Sequence, residues 1–251
     1  MKQTQILMGM PITIEVVDAQ VPDGIFKQVF AYFTAIDQTF STYKPHSEIS
    51  RINSREITIA QAGQDMRTIF ALAEQTKQAT NGYFDIARDG VYDPSGVVKG
   101  WAIYQAAEIM RLAGCRNFYV DAGGDIQAVG KNSLRQPWRV GIRNPFNIHE
   151  IVKVLAVSNC GVATSGTSIR GSHIYNPKTA GQLVTDVVSL TVIGPNIYEA
   201  DRFATAAFAM GEEGIRFIER LDGFEGYMID QRGLATFTSG FARYANNDST
   251  Y

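Results

Sequence analysis

Cysteine is scarce in this chain: its 251 residues include only Cys115 and Cys160. Their spacing matches neither a zinc site nor a CxxC redox pair, and both lie among apolar neighbours, so they read as buried thiols. A surplus of charge of one sign is missing as well. Lys and Arg total 23 against 25 Asp and Glu, a net charge of −2 that gives no footing to nucleic acid or an anionic membrane surface. The expected partners are small molecules or protein segments. No apolar run reaches the ~18 residues that a membrane span requires. The opening MKQTQILMGMPITIEV has neither the apolar run of a signal peptide nor a lipid-attachment cysteine. The expectation is a cytoplasmic protein without a membrane anchor. Linker-like stretches and internal repeats are absent too.

What is present is the composition of a soluble globular protein, 45% hydrophobic and 19% charged. Phe26, Val29, Phe30, Phe33, Ile36 and Phe40 share one face of a helix expected from Asp23 to Phe40. A polar loop, STYKPHSEISRIN, separates it from a second helix over Gly63 to Ala79, ended by Asn81-Gly82. A third helix is expected over Ser95 to Leu112, a fourth from Tyr198 to Met210, and another near 212–221. Residues 5–17 alternate as a strand, with Gly9 and Pro11 suggesting a bulge or an edge. Asn117–Asp121 and Asp125–Val129 read as a hairpin around Gly123-Gly124. Further strands are expected near 138–143, 151–157, 161–165, 187–193, 226–230 and 234–238. Helices and strands mix without strict alternation, which favours α+β. The expectation is one domain over 1–243 and a frayed polar tail over 244–251.

Chemistry concentrates in a few places. Residues 161–180, GVATSGTSIRGSHIYNPKTA, gather hydroxyls, glycines and His173, one of three histidines. They suit the handling of a phosphate or its ester. A P-loop is excluded there, because Thr167 stands where lysine is required. Asp201 and Thr205 are four apart on the fourth helix, so both oxygens project from one face. That pair suits Mg²⁺, or else a helix-terminal carboxylate beside a threonine bonded back to its own helix. Asp93-Pro-Ser-Gly96-Val-Val-Lys99-Gly100 turns into a helix N-terminus, an anion seat or simply a cap with a solvated lysine. In Asp121-Ala-Gly-Gly-Asp125 the glycines permit close backbone approach, or just a hairpin turn. Tyr83 and Phe84 beside Asp85 offer flanks for a planar ring, or ordinary packing. His173, with an ordinary pKa near ~6.5, is suited to accept a proton from an attacking hydroxyl.

Taken in order, these segments resemble the ApbE family of FAD:protein FMN transferases. The resemblance rests on MGMP (8–11), FSTYKPHSEISRIN (40–53), NGYFD (81–85), DPSGVVKGWA (93–102), VDAGGDI (120–126), ATSG (163–166), SHIYNP (172–177) and ADRFATA (200–206). It implies an ApbE-like (T-fold-like) domain with mixed, mainly antiparallel sheets packed by helices. It implies transfer of the FMN half of FAD to a threonine or serine hydroxyl of a target flavoprotein, with AMP leaving. FAD pyrophosphatase activity and non-catalytic flavin binding are the alternatives. By position, the resemblance makes Asp201 and Thr205 side-chain ligands of Mg²⁺ and the Gly96 carbonyl a third. It sets FAD against Met8, Tyr43, Tyr83, Phe84, Asp85, Asp93, Lys99, Ser165 and Ile174, and gives His173 the role of base. The chain departs from the family pattern in three places. Only seven residues separate Asp85 from Asp93, the stretch between ATSG and SH is short, and Asn176 replaces the usual aspartate before proline. The short loops imply a pared-down rim around the site, and Asn176 bears on whether a second metal site exists.

Overall fold

A computed structural model describes residues 1–167, 174–179 and 182–245. The chain opens with strands β1 (Lys2–Leu7) and β2 (Met10–Val16), then helices α1 (Ile25–Phe40), α2 (Glu48–Asn53) and α3 (Gln64–Ala79). A small hairpin, β3 (Ala87–Arg88) and β4 (Val91–Tyr92), leads into α4 (Ser95–Leu112). Strands β5 (Phe118–Ala122), β6 (Asp125–Val129), β7 (Trp138–Arg143), β8 (Ile151–Val157) and β9 (Cys160–Gly166) follow. After the short pair β10 (Tyr175–Asn176) and β11 (Gln182–Leu183) come β12 (Val187–Gly194), α5 (Ile197–Ala209) and α6 (Gly214–Glu219). Strands β13 (Glu225–Asp230) and β14 (Ala235–Phe237) complete the order.

Eight strands form one sheet in the order β1-β2-β5-β6-β9-β12-β13-β14, and every pairing in it is antiparallel. This is the expected α+β architecture. One face is covered by the helices. Phe33 of α1, Ile103 and Met110 of α4, and Phe208 of α5 join Ile12, Val120, Ala163 and Val192 in a single core. The β7–β8 hairpin covers the other face, where Trp138, Val140, Leu155 and Val157 meet Val162, Ile193 and Tyr227. Strand β12 is buried along almost its whole length, as expected for a strand covered on both sides. In β7 Trp138, Val140 and Ile142 point to that core while Arg139, Gly141 and Arg143 alternate outward.

Three local expectations need correction. Residues 2–16 are a hairpin and not one interrupted strand: Met8 (φ 53°) and Gly9 (φ 72°) form its two-residue turn between Leu7 and Met10. Positive φ at both positions is the signature of a type I′ turn, so Gly9 marks a reversal and not a bulge. The polar stretch after α1 contains α2, capped by Ser47, whose hydroxyl accepts the Ser50 N–H at 3.2 Å. Its last residue, Asn53, clamps Tyr92 through both backbone groups, at 2.8 and 2.9 Å, and so fixes the shortened segment before α4. At the other end, Tyr244 and Ala245 are bonded and not frayed. The Tyr244 carbonyl accepts the Ala156 N–H at 2.8 Å, and Ala245 bridges Leu155 on β8. Residues 246–251 lie outside the described residues. Among the described residues no helix is long and apolar enough to cross a membrane.

The placement of α5 matters most for function. Its first N–H groups, orphans in any helix, are satisfied from the sheet and the cap. Buried Gln127 on β6 accepts the Ile197 N–H at 2.8 Å and donates to the Cys160 carbonyl at 3.2 Å, while Asn196 accepts the Glu199 N–H at 2.9 Å. Gly161 lets the helix start lie directly on β9, since a Cβ there would sit 2.1 Å from the Ile197 nitrogen.

Candidate active site

Helices α4 and α5 touch where Gly100 faces Asp201. A Cβ on Gly100 would lie 2.6 Å from the Asp201 Cβ, and the Gly100 N–H donates to Asp201 Oδ2 at 2.7 Å. In a regular helix that N–H serves the carbonyl four residues back, which here is Gly96. Gly96 is itself pressed between Phe84 and Thr205, at 3.1 and 3.3 Å from where its Cβ would be. Unlike the Thr76 and Thr80 hydroxyls, which bond the carbonyls of Leu72 and Thr76, Thr205 makes no back-bond. Its hydroxyl instead faces Ser165 Oγ at 3.5 Å. Of the two readings of Asp201 and Thr205, the structure therefore disfavours the helix-bonded threonine.

Lys99 stands between two buried carboxylates. Its Nζ is 2.5 Å from Asp125 Oδ2 and 3.5 Å from Asp201 Oδ1, and these aspartates are 3% and 2% exposed. Asp125 Oδ1 accepts the Thr164 N–H of β9 at 3.0 Å, while Oδ2 meets Lys99 as an ion pair. Burial pushes the Asp201 carboxyl well above the usual carboxylate range, and Lys99 opposes that shift while Asp125 adds to it. Asp121, whose Oδ1 accepts the Gly124 N–H at 2.8 Å, is raised for the same primary reason.

These groups line a cavity of about 840 Å³. Tyr83, Phe84, Asp85, Asp93, Gly96, Lys99, Ser165, Ile174, Asp201 and Thr205 all lie in its wall, so most of the residues singled out in the sequence converge. Met8 and Tyr43 do not line it. Met8 sits in the β1–β2 turn, with its neighbours Gly9 and Met10 in the wall, and Tyr43 is 95% exposed. His173 lies outside the described residues. Asp85 and Asp93 also hold local structure. Asp85 accepts the Ala87 N–H at 2.9 Å and pairs with Lys77 at 2.6 Å, and Asp93 accepts the Ser95 N–H at 3.0 Å, an Asx turn at the entry to α4. Asn176 accepts the Lys178 N–H at 2.9 Å, an Asx turn that aspartate would make equally well. The rim is tied together by aromatic contacts. The Tyr175 hydroxyl donates to the Asp85 carbonyl at 3.2 Å, Arg88 lies over the Tyr175 ring, and Lys178 over Tyr83.

Sequence reasoning read Asp121 and Asp125 as a hairpin turn and did not count them among the site residues, although DAGGD was the available signal. Arg139 and Arg143 were missed entirely. They enter the wall from the outward face of β7, and only the alternation of that strand foretold their direction.

Among the described residues the cavity wall brings together the Asp201 carboxyl, the Thr205 hydroxyl facing Ser165, and the backbone of Gly96. That donor set fits a small divalent cation of the Mg²⁺ type. Acidic, aromatic and arginine side chains thus meet in the wall of one cavity. The ApbE family profile matches residues 8–92 and 88–228. This chain belongs to the ApbE family. It is 32% identical over 150 residues to the FAD:protein FMN transferase of Escherichia coli K12, and 32% identical over 130 residues to that of Vibrio cholerae. Those stretches are 56% and 48% of this chain but only 43% and 39% of the relatives, so the matches span less than half of their length. In fold it is similar to the flavin transferase ApbE from Vibrio cholerae (TM-score 0.84, 22% identity, 97% of this chain and 98% of that one). It is also similar to the ApbE protein from Thermotoga maritima (TM-score 0.87, 19% identity, 98% and 99%).

Proposed function

We propose that this chain transfers the FMN half of FAD to a threonine or serine hydroxyl of a target flavoprotein, with Mg²⁺ as cofactor and AMP as the leaving group. The observation that carries this reading is the convergence of Gly96, Asp201, Thr205, Ser165 and Lys99, drawn from two helices and a strand, on one cavity. Its similarity to the FAD:protein FMN transferases of Escherichia coli and Vibrio cholerae supports it. The same proposal places the protein in the cytoplasm, in keeping with two unpaired, buried cysteines.

Asp201, Thr205 and the Gly96 carbonyl would hold the cation, whose chemical contribution is to neutralise pyrophosphate oxygens in the transition state. Lys99 would place its ammonium beside the same oxygens, and Arg139 and Arg143 would add positive charge from the cavity wall. Tyr83 and Tyr175 offer ring faces to the planar part of FAD, while Phe84, buried beneath Gly96, supports the α4 turn. The acceptor hydroxyl oxygen forms a new bond to the FMN phosphorus. The bond from that phosphorus to the bridging oxygen breaks, and AMP leaves with the oxygen. In this proposal the hydroxyl proton passes to His173.

Purified protein incubated with FAD and Mg²⁺, with and without a threonine-bearing flavoprotein domain, tests the reading. AMP release that requires the acceptor, with flavin covalently retained on it, is the expected result. AMP and FMN formed without acceptor make the protein a pyrophosphatase, and flavin binding without AMP makes it a carrier.

A further inference from the structure

Strand β1 ends the eight-stranded sheet, and its pairing with β2 fixes which way its backbone groups point. The Met1 ammonium donates to the Val16 carbonyl at 2.6 Å, and the Val16 N–H returns a bond to the Met1 carbonyl at 2.8 Å. At the other end the turn closes on Leu7 and Met10. Hydrogen-bonding direction alternates along a strand, so Met1, Gln3, Gln5 and Leu7 serve β2. The N–H and C=O groups of Lys2, Thr4 and Ile6 therefore point out of the sheet, and among the described residues nothing bonds them. Open strand margins are normally blunted by shortness, a bulge, proline or a charge hung over the edge. The opposite margin, β14, is blunted in this way, being only three residues long. In contrast, β1 runs for six almost fully exposed residues in unbroken register and holds no proline. Its one charge is turned back over its own sheet: Lys2 Nζ is 3.5 Å from Glu15 and lies over the Tyr119 ring. The Thr4 hydroxyl turns the same way, to Thr13 at 2.9 Å.

We propose that β1 is an interface between two copies of this chain, paired antiparallel about a two-fold axis at Thr4. Self-complementarity selects the second copy as the occupant. Of the antiparallel registers that β1 can form with itself, only the one centred on Thr4 engages the outward groups of Lys2, Thr4 and Ile6 at once. It sets Thr4 against Thr4, Lys2 against Ile6, and Gln3 against Gln5 of the second copy. About six ladder hydrogen bonds result, and no like charges stand opposite one another. Beside this edge, Gln3 and Gln5 share the wall of a second cavity, of about 550 Å³, with Phe26 and Phe30 of α1. The glutamine amides of the two copies meet on that face. Asp23 and Lys27 in the same wall carry opposite charges, so two identical surfaces approach without net repulsion. The hairpin also carries Gly9 and Met10 into the wall of the candidate active site, so pairing at β1 braces one side of it.

Sedimentation equilibrium of the full chain over a concentration series tests this, with three variants. The native chain is expected to approach twice the chain mass as concentration rises. A chain that stays monomeric up to ~0.1 mM overturns the proposal, whatever else binds the edge. Thr4→Pro removes an outward N–H and leaves the β1–β2 backbone bonds in place, so the fold should survive while the dimer is lost. Far-UV circular dichroism checks the fold. Ile6→Lys sets an ammonium opposite Lys2 of the second copy, twice in each dimer, and should weaken dimerisation at least about tenfold. Ile6→Glu sets a carboxylate there and should hold the dimer at least as tightly as the native side chain does. Should Thr4→Pro fail to fold, the opposed effects of the two Ile6 variants still decide. A dimer indifferent to all three variants, or weakened equally by Ile6→Lys and Ile6→Glu, has its contact elsewhere and overturns the pairing.

Discussion

Replacing Gly100 by alanine sets two effects against each other at the contact between α4 and α5. The added methyl would sit 2.6 Å from the Asp201 Cβ and 2.9 Å from both Asp201 Oδ2 and the Ile197 carbonyl oxygen. Carbon contacts are comfortable at ~3.5–4.0 Å, so the helices must separate by about 1 Å. Overpacking of this kind costs about 1–3 kcal/mol. Against it stands a gain of about 0.8–1.0 kcal/mol, because alanine is the better helix former. The net loss of about 0–2 kcal/mol corresponds to a melting temperature lowered by about 0–8 °C in a chain of this size. Activity should suffer more than stability. A misplacement of about 1 Å in a site can cost ~10²-fold in rate, and Asp201 moves with α5. Thermal unfolding by circular dichroism and Mg²⁺-dependent AMP release measure the two. Gly96→Ala is the comparator, since the atoms nearest its methyl are side-chain atoms of Phe84 and Thr205, at 3.1 and 3.3 Å, and it should cost less stability. A Gly100→Ala protein that melts no lower than native and releases AMP at the native rate would refute the close-contact argument.

Asp201→Asn keeps the shape but removes the charge of the cation seat, and Mg²⁺-dependent AMP release should fall by at least ~10²-fold at saturating FAD. Phe33 is fully buried at the centre of the helical layer, and Phe33→Ala should cost about 3–5 kcal/mol, read from urea unfolding midpoints at constant m-value. Asp18 titrates with a definite sign. Burial alone would raise its pKa, but the Arg116 and Asn117 N–H groups and the Asn117 side chain outweigh it and hold the carboxyl below its usual value. Its stabilising effect is therefore full above the unfolded-state pKa of about 3.9 and fades as pH falls through the lower folded value. Urea unfolding of Asp18→Asn should accordingly show a deficit at pH 7 that closes towards pH 3, and a deficit that widens on acidification would contradict the assignment.

The long elements were legible because their patterns are unambiguous. The Phe-rich stripe of α1 and the run Ser95–Leu112 fix their helices almost to the residue. The strand alternation of Trp138 to Arg143 does the same for β7. What was not legible depends on partners far away in sequence. Nothing local to SEISRIN says that Asn53 will clamp Tyr92, which is what makes a short helix worthwhile there. Likewise, the turn at Met8-Gly9 requires a methionine at positive φ, a conformation that residue type rarely signals. In the site, spacing along one helix revealed Asp201 and Thr205, and the helix entry revealed Gly96 and Lys99. Asp125 looked like part of a hairpin because it is one; its contact with Lys99 appears only when α4 is laid across β6. Arg139 and Arg143 become site residues through the packing of a separate hairpin, information that no window of sequence holds.

That hairpin has an outer margin, and the chain's own last described residues lie along it. Ala156 donates its N–H to the Tyr244 carbonyl, and Ala245 bridges Leu155. An uncovered strand margin is a template for pairing with another chain. Tyr244 and Ala245 thus act as a selvedge, finishing the edge of a two-stranded cloth that would otherwise fray into contact with its neighbours. A truncation or rigid fusion that lifts them away should leave the sheet and helices standing. It would also turn the wall that carries Arg139 and Arg143 into a sticky border, so that loss of solubility, and not loss of fold, would be the first symptom.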